Sequence, residues 1–137
     1  MMREGKRSIL GPVASILILI CIGVAGCAGT AGEGGVREIT QQALLSDPPE
    51  NVLILDVRSS REYRAGHVPN ALNIPHNELV ARLSELESAT DRPIVVYCKS
   101  GHRAGLATSM LGEAGYTDLH HLTGDMDAWK AQGFPTE

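Results

Sequence analysis

The run Ile94-Val95-Val96-Tyr97-Cys98 constrains the fold more than any other stretch of the chain. Its apolar residues follow one another without polar alternation, the pattern of a strand buried on both faces. Such strands belong to parallel sheets covered by helices. The run stops at a cysteine. Lys99-Ser100-Gly101-His102 then forms a short polar turn, and a helical pattern runs from Arg103 to Leu111. A thiol therefore stands where a buried strand, a tight turn and a helix N-terminus meet. Backbone N–H groups at a helix N-terminus attract anions, and a thiolate is an anion. Its position makes Cys98 the candidate nucleophile.

The other thiols are elsewhere. Of the 3 cysteines, Cys21 and Cys27 lie in an N-terminal apolar stretch, and only Cys98 lies in the part that can fold as a globule. That part has no pair for an internal disulfide and no cluster of thiolates for a metal. His76, His120 and His121 show no ligand spacing, so neither a metal nor another cofactor is expected. Without residues 1–26 the chain carries 9 basic and 15 acidic side chains, a net charge of −6. An acidic body argues against a nucleic-acid partner.

Residues 1–26 read as an export signal. Arg3, Lys6 and Arg7 form a positive start, residues 13–22 are almost wholly aliphatic, and small residues follow. Val24-Ala25-Gly26-Cys27 resembles a bacterial lipobox, which implies cleavage before Cys27 and lipidation of that cysteine. Residues 27–35 are rich in Gly and Ala and form a flexible tether. Residues 36–137 then form one domain. The expectation is an exported protein held to the membrane by its lipid, facing the periplasm or cell exterior. The alternative is an uncleaved transmembrane anchor of the same orientation. Gly11 and Pro12 make the stretch a poor span.

Within the domain, strand and helix patterns alternate. Residues 36–39 suggest an edge strand, with Thr40 as N-cap of a helix over 41–45. Residues 52–57 repeat the continuous apolar pattern. Ser59 or Ser60 can cap a short helix over 61–65, ended by Gly66. Residues 71–74 suggest a strand stopped by Pro75. Asn77 is expected to cap an amphipathic helix that turns Leu79, Val80, Leu83 and Leu86 inward and Arg82, Glu85 and Glu87 outward. After the 94–98 strand and its helix come a strand over 118–122 and a helix over 126–130, closed by Gly133. This alternation predicts an α/β fold with a parallel sheet covered on both faces. Sites in such sheets lie at the C-terminal strand ends. Asp56 and Cys98 both end apolar strands, so they are expected to be neighbours.

Several spaced motifs carry a resemblance. Leu55-Asp56-Val57-Arg58, Glu62-Tyr63 and the stretch from Gly66-His67-Val68-Pro69 to Ile74-Pro75 resemble the front half of a rhodanese domain. Val95 to Ala104 resembles its active-site loop. Leu122-Thr123-Gly124, Ala128-Trp129 and Gly133-Phe134-Pro135 resemble its C-terminal signature. The similarity spans residues 36–135. It implies a three-layer fold with a mostly parallel, five-stranded sheet and helices on both faces, and it implies a sulfurtransferase. Cys98 would take the outer sulfur of thiosulfate or polysulfide as a persulfide and pass it to cyanide, a thiol or a protein acceptor. Lys99, Ser100, Gly101, His102 and Arg103 would bind the anionic donor, with positive charge from Lys99 and Arg103. Asp56 and Arg58 would support the site. Phosphatases and arsenate reductases of related fold use a loop one residue longer, so the spacing from Cys98 to Arg103 favours sulfur. A rhodanese-like module that carries or senses sulfur, or docks a partner, is the other reading.

Single residues carry further expectations. Arg58 is expected either to pair with Glu62 or to face the anion. His67 is expected to bond backbone in its turn, His102 to tune the pocket, and Trp129 to sit in the core. Asp125 departs from the family, which usually has a second glycine there. If the backbone there needs positive φ, Asp costs more than Gly but is among the better-tolerated substitutes. Asp125 is also a candidate cap for the last helix. If it stood at the mouth, its charge would repel anionic donors, and Asp125→Gly would leave activity unchanged or raise it.

Overall fold

Five parallel strands form the sheet in the order β1-β5-β4-β2-β3 in a computed structural model that describes residues 35–137. In chain order they are β1 (Arg37–Ile39), β2 (Leu53–Asp56), β3 (Leu72–Asn73), β4 (Ile94–Tyr97) and β5 (Leu119–Leu122). The helices are α1 (Gln41–Ser46), α2 (Ser60–Arg64), α3 (His102–Glu113) and α4 (Asp125–Ala131), with a 3-10 helix over Val80–Ala89. The expected export signal and the lipidation at Cys27 lie outside the described residues. Among the described residues no helix is long and apolar enough to cross a membrane.

The unbroken apolar run makes β4 the middle of the sheet. All of its residues are buried, and it pairs with β2 on one side and β5 on the other. Alternate side chains feed two cores, as a strand's period of two requires. Ile94, Val96 and Cys98 join Leu55, Leu86, Ala107 and Leu111, under α3 and the 3-10 helix. Val95 and Tyr97 join Leu44, Val68, Met126 and Trp129, under α1 and α4. Trp129 is fully buried and donates its indole N–H to Pro135 O at 2.8 Å.

Local signals act as the side chains dictate. Thr40 Oγ1 accepts the Ala43 N–H at 3.1 Å and starts α1. Ser59 caps α2 in a capping box with Glu62.

The segment after β3 differs from expectation. Asn77 caps nothing, because the helix there begins with Leu79 at its N-cap and has no side-chain cap. It is a 3-10 helix, interrupted at Arg82 (φ −114°, ψ 16°), whose guanidinium bonds Glu78 on one side of the kink and Glu85 on the other. Three residues per turn put Leu83, Leu86 and Ala89 on the inner face, while Val80 is 65% exposed rather than inward.

Candidate active site

Cys98 follows β4 directly, at the floor of a loop that turns into α3. The thiol is 1% exposed. Gly101 N donates to Cys98 Sγ at 3.1 Å, so one loop amide already points at the nucleophile. Gly101 is the N-cap of α3 and adopts φ 106°. That conformation favours glycine, and a Cβ there would stand 3.3 Å from Asp125 Oδ2. Lys99, Ser100 and His102 are exposed around the loop. The loop's base is tied to α4, where Met126 N donates to Cys98 O at 3.1 Å and Asp127 N to Lys99 O at 3.0 Å. These carbonyls satisfy the free N–H groups that open α4.

Arg103 points back toward α2, not free into solvent. Its Nη1 and Nη2 donate to Glu62 Oε2 and Oε1 at 2.7 and 2.9 Å. The hydrogen bonds from Arg103 hold the Glu62 carboxyl far below the usual carboxylate range, against the opposing effect of burial. Arg103 thus brings a placed guanidinium whose charge is largely balanced. A cleft of about 290 Å³ opens beside the loop, lined by Arg58, Glu62, Lys99, Met126, Asp127 and Lys130. A second cleft of about 360 Å³ lies among Leu44, Val68, Pro69 and Trp129 and contains no nucleophile.

Asp56 and Arg58 form a closed network beneath the loop. Asp56 is 0% and Arg58 3% exposed. Arg58 Nε and Nη2 reach Asp56 Oδ2 at 3.0 and 2.6 Å, and Arg58 N donates to Oδ1 at 2.9 Å. Tyr97 Oη donates to Asp56 Oδ2 at 2.7 Å and accepts from Val68 N at 3.1 Å. Burial first, and then the Asp56 carboxylate, push the Tyr97 phenol well up, which keeps its proton in place. Arg58 also stacks over the Tyr97 ring, its Cζ 5.6 Å from the centroid, and donates to Gly66 O at 2.9 Å. It therefore pairs with Asp56 rather than with Glu62, which is taken by Arg103. Its Nε and Nη2 are engaged on Asp56 and Gly66 O, and Arg58 also lines the cleft.

Asp125 differs most from its sequence reading. Its φ is 52°, in the left-handed region. It does not cap α4, whose N-cap is Gly124 with no side-chain bond. It is 1% exposed, so it does not stand at the mouth. Its Oδ1 accepts the Cys98 N–H at 2.7 Å and its Oδ2 lies 2.9 Å from His121 Nε2. His121 Nδ1 in turn lies 3.1 Å from Glu38 Oε1 on β1. Burial opposes a charge on His121, but the two carboxylates outweigh it and its pKa is raised. Tyr97, His121 and Glu38 are the participants that sequence reasoning missed. Tyr97 stood next to Cys98 in an otherwise aliphatic run, a visible signal. His67 bonds backbone as expected, with Nδ1 3.0 Å from Tyr63 O. Among the described residues no group of His, Cys, Asp and Glu is gathered to hold a metal ion.

Comparisons with known proteins point to one family. The family model for the rhodanese-like domain matches residues 40–132. A sulfurtransferase of Allochromatium vinosum is 37% identical over 103 residues, covering 73% of this chain and 94% of that protein. A thiosulfate sulfurtransferase of Pseudoalteromonas translucida is 33% identical, covering 60% of this chain and 76% of its own length. The crystal structure of a rhodanese-related protein from Thermoplasma volcanium superposes with a TM-score of 0.64 at 29% identity, covering 74% of this chain and 97% of that one. Several other relatives are longer, and the chain spans between 28% and 59% of their length. The chain belongs to the rhodanese-like family, and sulfurtransferases are among its relatives.

Proposed function

We propose that the domain is a sulfurtransferase that moves sulfane sulfur from thiosulfate or polysulfide to a thiol, cyanide or protein acceptor through a persulfide on Cys98. The observation that carries this reading is the Gly101 N–H donated to Cys98 Sγ at 3.1 Å, at the head of α3. The Cys98 thiolate attacks the outer sulfur of the donor. The donor S–S bond breaks, and sulfite or a shortened polysulfide leaves with its electron pair. A thiolate or cyanide acceptor then attacks the outer sulfur of the persulfide and returns Cys98 as thiolate. Helix N-terminal amides favour the anionic sulfur at both stages. Exposed Lys99 and the Lys130 side of the cleft supply attraction for an anionic donor.

Mass spectrometry of the full chain after exposure to thiosulfate or polysulfide tests the chemistry. The expected result is a gain of about 32 Da on the Cys98 peptide, removable by cyanide, and none in Cys98→Ser. Steady phosphomonoesterase turnover without sulfur loading would overturn the reading. Stoichiometric loading without turnover would favour the second one, a sulfur-carrying or partner-docking module. The longer relatives support that alternative, since the domain occurs there as one part of a larger chain.

We further propose that the domain works outside the cytoplasm on a lipid at Cys27, supported by the lipobox-like Val24-Ala25-Gly26-Cys27. Cells fed radioactive palmitate should label the wild-type chain and not Cys27→Ala; an unlabelled wild type would sink the tether.

A further inference from the structure

A buried aspartate held in the left-handed region needs a reason to persist. At Asp125 the reason is not capping, because its carboxylate turns away from α4 toward the loop of Cys98. One oxygen takes the backbone N–H of the nucleophile itself. The other meets His121, the last but one residue of β5. Gly101, whose N–H reaches Sγ, sits directly on this pair: a Cβ built there would meet Asp125 Oδ2 at 3.3 Å and His121 Cε1 at 3.6 Å. The pair thus underlies the two backbone amides that define the nucleophile's position.

We propose that Asp125, backed by His121 and Glu38, is the positioning residue of the Cys98 loop. Its carboxylate fixes the backbone at the nucleophile, and the proton on His121 determines how much negative charge stands beneath the thiolate. The consequence for sulfur transfer rests on the function proposed above, while the coupling itself does not.

His121 is faced from three elements. From α4 it faces Asp125, from β1 it faces Glu38, and from the Cys98 loop it faces the uncharged Gly101. The second Glu38 oxygen accepts from Thr123 Oγ1 at 3.1 Å. The preceding His120 is engaged elsewhere, with Asp118 and Arg37. With His121 protonated, Asp125 is balanced. Once His121 loses its proton, the buried carboxylate opposes the formation of a second anion on Cys98. The histidine pKa is raised, so the balanced state prevails below its folded value and fades as pH rises through it.

The test is the rate at which iodoacetamide alkylates Cys98 in the full chain, solubilised in detergent and read on the Cys98 peptide so that Cys21 and Cys27 do not count. Near neutral pH, His121→Gln should react roughly fivefold more slowly than wild type, and Asp125→Asn faster by a similar factor, the size of one nearby charge in a partly screened site. The wild-type advantage over His121→Gln should shrink toward unity as pH rises. Glu38→Gln, a change on an exposed side chain, should move the rate in the same direction as His121→Gln but less. A merely structural role would slow or speed every variant in the same sense, independently of pH. An Asp125→Asn rate that moves the same way as that of His121→Gln, rates equal to wild type, or a pH-independent ratio would overturn the coupling. Alkylation needs no sulfur donor, so a chain that follows this pattern yet never loads sulfur overturns the proposed function alone.

Discussion

Two buried carboxylates flank the strand that leads to Cys98, and the sheet order puts them on opposite sides. Asp56 ends β2 and stands in register with Tyr97; Asp125 follows β5 and reaches the Cys98 N–H. Both are essentially inaccessible to solvent. Their counterions differ. Asp56 is gripped by Arg58, a permanent charge, with Tyr97 and a backbone N–H completing its shell. Asp125 is matched by His121, which can lose its proton. The first arrangement is a fixed foundation. The second is a foundation whose charge depends on pH, placed against the backbone of the nucleophile.

The fixed side should be the more expensive to break. Arg58→Ala leaves the Asp56 carboxylate buried without its partner, and removing one member of a buried pair costs about 3–5 kcal/mol. Urea unfolding of the variant should show a loss of that order. A loss below about 1 kcal/mol would mean that the pair is solvated in solution and that Asp56 is not the anchor described.

Tyr97→Phe is a gentler probe of the same side. It deletes one donor to Asp56 and strands the Val68 N–H, which bonds Tyr97 Oη at 3.1 Å. An unsatisfied buried amide costs about 1–3 kcal/mol. The loss should be independent of pH across the neutral range, because neither Arg58 nor the upshifted phenol titrates there. A pH-dependent loss would show that the two sides are coupled through β4.

On the other side, Asp125→Gly sets two effects against each other. Glycine relieves the left-handed backbone at φ 52°, worth about 1–2 kcal/mol. It also strands the Cys98 N–H at a cost of about 1–3 kcal/mol. The net change in stability should be within about 1 kcal/mol, with sulfur loading reduced because the loop loses its tie. The sequence alone suggested the reverse for activity, on the premise of a charge at the mouth, and the burial of Asp125 removes that premise. Unchanged or faster loading would show that the tie is dispensable.

The contrast also marks what the chain discloses about itself. β4 was legible because its pattern comes from its environment on both faces, and Thr40 and Ser59 were legible because capping is local. The pairing of Arg58 with Glu62 was misread because the two lie at helical spacing; but Arg58 precedes α2, in a bend that folds its side chain back on Asp56, two residues earlier. The 3-10 helix was misread because its kink falls at Arg82, which bonds a glutamate on either side, and not at any breaker residue. The Asp125 site was out of reach for a different reason. Asp125 and His121 are separated by a strand end, a turn and a helix start, so neither the strand nor the helix period relates them, and Glu38 arrives from β1 only when the sheet forms.

The smallest expected effect bears directly on the difference between the sides. A histidine whose pKa is higher in the folded state than in the unfolded one binds its proton more tightly when folded. Its contribution to stability is complete below the unfolded value of about 6.5 and is lost as pH rises through the folded value. His121 is 23% exposed on its side chain, so solvent screens part of this and the contribution should be below about 1 kcal/mol. Chemical unfolding followed upward from about pH 6 should therefore show wild type losing stability relative to His121→Gln, with the difference between them levelling off once His121 is neutral. A difference constant with pH would mean that the His121 proton is no better held in the folded state, and Asp125 would then be as fixed a support as Asp56.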